Sequence, residues 1–86
     1  MHVSLMPAPP DYDVMLDASG LRCPMPVLRA QKLLRGMETG QVLKILSTDR
    51  VSWAEFPAFC EQTGHALVLK TQQSPELWHY YVRKTI

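Results

Sequence analysis

The chain has 86 residues, 47% of them apolar, and its nine Lys and Arg against eight Asp and Glu leave a formal charge of +1. That length allows one domain around a single core, and the charge excludes a global field that would recruit nucleic acid or membrane. The two cysteines, Cys23 and Cys60, are too few for the disulfide framework of a small secreted domain, so a reduced, cytoplasmic chain is expected.

Residues 1–11 hold Pro7, Pro9 and Pro10 and little that could pack. They read as a flexible leader before a domain at 12–86. The opening "MHVSLMPAPP" has neither a basic start nor a sustained apolar run, so it does not read as a signal peptide. Later apolar stretches also fall short of the roughly 20 residues that span a bilayer, and no membrane partner is expected.

"YDVMLD" (12–17) reads as a first strand with Val14 and Leu16 on one face, and "ASG" turns the chain. From Pro24, the positions Val27, Leu28, Ala30, Leu33, Leu34 and Met37 recur at helical spacing, with Arg29, Gln31, Lys32 and Arg35 on the opposite side. This helix should stop between Gly36 and Gly40. "QVLKILST" (41–48) reads as a second strand. A second helix follows from Asp49 to Gly64, with Asp49 or Glu55 as its cap. Pro57 falls inside it, which predicts a short turn at 50–54 before a helix from Glu55, or a kink. "HALVLKTQ" and "LWHYYVRKT", joined by "QSPE", predict a closing hairpin.

The order β-α-β-α-β-β predicts an α+β protein, a two-layer sandwich with a four-stranded mixed sheet and both helices on one face. The other face must be partly covered or wet.

The stretch "LRCPMPVL" places Cys23 between Arg22 and Pro24, with Pro26 two residues on. If the helix starts at Pro24, Cys23 is its cap and neither proline costs a helical hydrogen bond, because the first four N–H groups lack partners within the helix. The helix dipole, the free N–H groups of Met25 and Val27, and Arg22 would then favour a thiolate and lower the thiol pKa. A C-x-x-C redox motif would carry a second thiol where Pro26 stands. A nucleophilic thiol with no near neighbour suits a group carrier, and a sulfur cargo would be held as Cys–S–SH.

The segment "LDASGLRCPMPVLRAQKLL" resembles the TusA/SirA/YedF family of small sulfur-transfer proteins, whose mark is a C-P-x-P box opening the first helix. "TDRVSWAEFPAFCEQTGHALV" and "YYVRK" continue the likeness, which covers residues 13–84. The resemblance implies a fold like the C-terminal domain of a bacterial translation initiation factor. It also implies a sulfurtransferase active only with partner proteins. Cys23, supported by Arg22, Pro24 and Pro26, would accept a persulfide sulfur from a cysteine desulfurase or rhodanese and hand it to an acceptor protein. Such a relay serves tRNA thiolation, cofactor sulfuration or sulfur metabolism. Met25 occupies a position where some relatives carry an acidic residue, and Glu55-Phe56-Pro57 stands where some carry Asp-Ile-Pro.

Other readings compete at each position. Cys23 could be an inert core cysteine. Cys60, beside Phe56 and Phe59, reads as core, with a secondary thiol as its alternative role. Arg22 could be a solvated charge. His2, His65 and His79 show no metal-ligand spacing, so no metal and no cofactor are expected. Trp53, Trp78, Tyr80 and Tyr81 read as packing residues rather than a base-stacking platform. The alternatives for the whole chain are a nucleic-acid-binding or regulatory module without sulfur transfer, against which the low charge argues, and a one-thiol redox sensor.

Overall fold

A computed structural model describes residues 9–86, so the first eight positions of the expected leader lie outside the described residues. The elements are β1 (Val14–Ala18), α1 (Met25–Arg35), β2 (Val42–Ser47), α2 (Ser52–Thr63), β3 (Ala66–Ser74) and β4 (Leu77–Arg83). Their order is the expected one, and the four strands form a mixed sheet in the order β1-β2-β4-β3. β1 runs parallel to β2, and β4 runs antiparallel to both β2 and β3. The chain leaves β2, crosses the sheet through α2 to the far edge, and returns through a hairpin turn at Pro75-Glu76 to fill the gap with β4.

The two-residue period of a strand sorts the sheet's side chains into two layers. Leu43, Ile45 and Ser47 of β2 are buried and pair with Val82, Tyr80 and Trp78 of β4. Both helices cover this face. α1 contributes Pro26, Ala30 and Leu34, spaced by four residues so that they form one stripe, and α2 contributes Phe56, Phe59 and Cys60. Each fully buried aliphatic or aromatic side chain here stabilises by roughly 1.5–3 kcal/mol. Val14 and Leu16 pack against the same core, as their alternation predicts.

α2 shows how the fold accommodates Pro57. The amides of Ser52, Trp53 and Ala54 bond three residues back, to Asp49, Arg50 and Val51, and the four-residue pattern begins with Glu55 N–H to Val51. The predicted tight turn at 50–54 is therefore present, but it merges into one helix from Ser52 rather than breaking it. Pro57 has no N–H to offer the carbonyl of Trp53. The Lys70 ammonium of β3 takes that place, donating to the Trp53 oxygen at 3.3 Å while lying 4.0 Å from the centre of the Trp53 ring. Gly64 ends the helix as predicted, in a left-handed conformation (φ +89°) with its N–H on the Cys60 carbonyl.

The second sheet face is partly covered. Tyr81 points to it yet is only 2% exposed. The Lys44 ammonium lies 5.6 Å from its ring centre and 5.1 Å from that of Tyr12. Pro9 borders the same hollow, with Leu69, Thr71 and His79. Two bonds, Asp13 N–H to the Val42 carbonyl and Val42 N–H to Asp13 Oδ2, both 2.9 Å, fix the chain where it enters β1.

Candidate functional site

Because β1 and β2 are parallel neighbours, the loops that follow them emerge side by side at the same edge of the sheet. The first loop carries Arg22 and Cys23, and the second leads into α2. Three contacts lash the two together. Thr48 Oγ1 accepts the Gly20 N–H at 2.9 Å, Asp49 Oδ2 accepts the Cys23 N–H at 2.6 Å, and the Glu55 carboxylate meets the Cys23 sulfur.

Asp49 is itself held from several sides. Its Oδ1 accepts the Val51 N–H at 3.1 Å, its own N–H donates to Ser47 Oγ at 3.1 Å, and its carbonyl accepts the Ser52 hydroxyl at 2.6 Å. The Ser52 hydroxyl has a single hydrogen, which goes to Asp49. Tyr80, 2.6 Å away in the core, is therefore the donor to Ser52 Oγ. A chain of bonds thus runs from the buried phenol through Ser52 and Asp49 to the backbone of Cys23.

The helix begins one residue later than the sequence predicts. A turn closed by Met25 N–H on the Arg22 carbonyl (2.8 Å) takes up Cys23 and Pro24, so Pro24 is the cap, Met25 the first helical residue and Pro26 the second. Cys23 precedes the cap, and its sulfur is not a capping group. Pro24 is exposed and Pro26 is buried under the helix, its missing N–H falling among those that the helix leaves unpaired.

The electrostatics also differ from expectation. The Cys23 thiol is pushed above its ordinary pKa, first by its hydrogen bond to Glu55, then by desolvation and by the negative charges of Glu55 and Asp49. The expected depression by Arg22 and the helix dipole does not win. Among the described residues the polar partner of the sulfur is Glu55, while Arg22 is exposed and lines a hollow with Gly20, Leu21, Thr48, Asp49 and Glu76. Sequence reasoning named Asp49 and Glu55 only as helix caps. The signal that could have linked them to Cys23 is topological, since loops after adjacent parallel strands share one edge.

Cys23 is exposed and Cys60 is buried. Cys60 belongs to the core cluster, and burial pushes its thiol up to about 11. His65 accepts the Thr85 N–H on Nδ1 at 3.3 Å and lies far along the chain from Cys23. Among the described residues no group of three or more His, Cys, Asp or Glu is placed to hold a metal ion, and no helix is long and apolar enough to cross a membrane. Around the site Met25 and Leu28 on α1, and Val51 and Trp53 at the start of α2, leave large apolar side chains in solvent.

Comparison with known proteins bears on this site. The profile of the family described as Sulfurtransferase TusA matches residues 14–84. The chain is 44% identical over 75 residues to the sulfur carrier protein TusA of Allochromatium vinosum, covering 87% of this chain and 97% of that protein. It is 50% identical over 58 residues to a protein of Neisseria meningitidis, covering 67% of this chain and 78% of the other. Among solved structures, a SirA-like protein from Desulfitobacterium hafniense superposes with a TM-score of 0.75 at 24% identity, covering 86% of this chain and all (100%) of that one, a likeness of fold.

Proposed function

Because the chain belongs to the TusA family of sulfur carriers, we propose that Cys23 is its persulfide site, accepting a sulfur atom from a donor protein and passing it to an acceptor. The observation that carries this reading is the placement of the Cys23 sulfur, exposed at the shared loop edge with its backbone amide tied to Asp49, while Cys60 is buried. A carrier thiol must reach into two different partner sites, so it has to project from the surface. A thiol buried in the core, as Cys60 is, is ill suited to that task.

A cysteine desulfurase or a rhodanese supplies the sulfur in this reading, and the acceptor belongs to a relay that ends in tRNA thiolation, cofactor sulfuration or sulfur metabolism. Arg22, Pro24 and Pro26 support the site in different ways. Pro26 anchors the start of α1 in the core, Pro24 caps it, and Arg22 places a cation at the rim where a partner docks. The exposed apolar side chains of Met25, Leu28 and Val51 add desolvatable area to that rim. The chain alone turns over nothing, because donor and acceptor chemistry lie on other proteins.

Intact-mass spectrometry after incubation with a desulfurase and cysteine, or a rhodanese and thiosulfate, tests this. A one-sulfur adduct lost on reduction, kept in Cys60→Ala and absent in Cys23→Ala, is the expected result. An adduct that persists in Cys23→Ala would refute the assignment of the site.

A further inference from the structure

The Glu55 carboxylate is the polar group in contact with the Cys23 sulfur, and it arrives from a different helix. Glu55 is half-buried in the first turn of α2, where the helix dipole favours a negative charge. A carboxylate beside a thiol offers the sulfur a proton acceptor and no positive charge. The resting sulfur is accordingly a neutral thiol, with Asp49 adding to the negative surroundings from the second loop and the exposed Arg22 on the sulfur's own loop. Such a thiol offers less thiolate than a free one, yet sulfur transfer requires a thiolate. The thiolate of a high-pKa thiol is the stronger nucleophile once it forms, but less of it is present, so a group that removes the proton during attack is what the site needs.

We propose that Glu55 is a catalytic residue of the sulfur transfer, the general base that takes the Cys23 proton on loading and the general acid that returns it on unloading. The proposal rests on the carrier reading of Cys23. On loading, the Sγ–H bond of Cys23 breaks and its proton passes to a Glu55 carboxylate oxygen. The freed electron pair on Sγ attacks the outer sulfur of the donor's persulfide, and the donor's S–S bond breaks. Its electron pair remains on the donor's inner sulfur, which leaves as a thiolate and later takes a proton. Cys23 becomes Cys–S–SH as the donor returns to a thiol, so the sulfane oxidation level moves with the atom and no outside oxidant or reductant is needed.

Unloading reverses the roles. An acceptor thiolate attacks the outer sulfur of the Cys23 persulfide, the Sγ–S bond breaks, and its electron pair returns to Sγ. Protonated Glu55, already in contact with that atom, gives the proton back, so the leaving group departs as a neutral thiol.

The test pairs two readouts on the parent, Glu55→Gln and Glu55→Asp. The first is the rate of alkylation of Cys23 by iodoacetamide against pH, in Cys60→Ala so that one thiol reports. The second is single-turnover sulfur loading from a persulfidated desulfurase, followed by intact mass. Glu55→Gln removes the charge but keeps the shape. Its alkylation profile should move to lower pH, giving a faster reaction at pH 7, while loading slows by roughly a hundredfold. Glu55→Asp should recover part of the loading rate. Opposite movement of the two readouts is the signature, since a purely structural or electrostatic role would speed both or slow both. Loading in Glu55→Gln at the parent's rate or faster overturns the proposal and leaves the carrier reading intact. A parent that takes up no sulfur on Cys23 overturns the carrier reading itself, and the proposal with it.

Discussion

Asp49 Oδ2 accepts the backbone N–H of Cys23 at 2.6 Å, while Oδ1 of the same carboxylate accepts the N–H of Val51 at 3.1 Å. One side chain therefore fixes the loop that bears the thiol to the start of the helix that bears Glu55. Asp49→Ala should lose both bonds, at a cost of about 2 kcal/mol in urea unfolding. Loading of Cys23 should slow by more than the stability loss explains, because the sulfur is no longer held against Glu55. Asp49→Asn keeps one carbonyl acceptor and should recover part of both. Full stability and full loading in Asp49→Ala would contradict this role.

The buried Tyr80–Ser52 pair should respond asymmetrically to truncation. In Tyr80→Phe the Ser52 hydroxyl still donates to the Asp49 carbonyl, so the loss is that of one ordinary hydrogen bond, about 1 kcal/mol. In Ser52→Ala the phenol is left buried without its partner, and the anchor on Asp49 is lost too, which should cost about 2–3 kcal/mol. Thermal or urea unfolding of the two variants decides the order. The reverse order would mean that Tyr80 accepts rather than donates.

Lys70 and Pro57 should be coupled, because the ammonium serves a carbonyl that the proline leaves free. Lys70→Met in the parent should cost about 1 kcal/mol. In Pro57→Ala, the new N–H can bond the Trp53 carbonyl, and the same lysine substitution should cost measurably less. A double-mutant cycle in urea reads the difference. Additive effects would show that the lysine acts through the Trp53 ring alone.

His79, partly buried on the second sheet face, is held below its ordinary pKa of 6.5, first by burial and then by the Lys44 charge. The unfolded chain therefore binds the proton more readily than the folded one, so this contribution to stability is complete above the unfolded value near 6.5. It is lost as pH falls through the folded value. His65, depressed by burial and by Lys84, adds a slope of the same sign. His79→Gln should flatten the loss of stability between pH 7 and 5. Urea midpoints across that range would show it, and an unchanged slope would assign the acid sensitivity elsewhere.

The sequence by itself determined the architecture and which of the two thiols lies exposed, because both are written in local chemistry. Strand alternation, the helical recurrence of Ala30, Leu34 and Met37 and the glycine after α2 act over a few residues and recur in the structure, whereas Leu28 and Leu33, expected on the same helix face, lie exposed. The isolated cysteine in the box at 23–26 likewise singled out Cys23, and the apolar company of Phe56 and Phe59 marked Cys60 as core. The helix start was misplaced by one residue, because the turn through Cys23 and Pro24 is closed by a bond that the helical period does not encode.

What surrounds the thiol was decided only by the tertiary structure. From the chain alone, Arg22 and the helix dipole are the nearest charges to Cys23, and they argue for a thiolate. Parallel pairing of β1 with β2 instead brings Asp49 and Glu55, 26 and 32 residues further along, against the same loop. Charge interactions depend on distance in space and not on separation along the chain, so the carboxylate in contact outweighs the guanidinium next door in sequence, and the thiol is pushed above its ordinary pKa rather than below it.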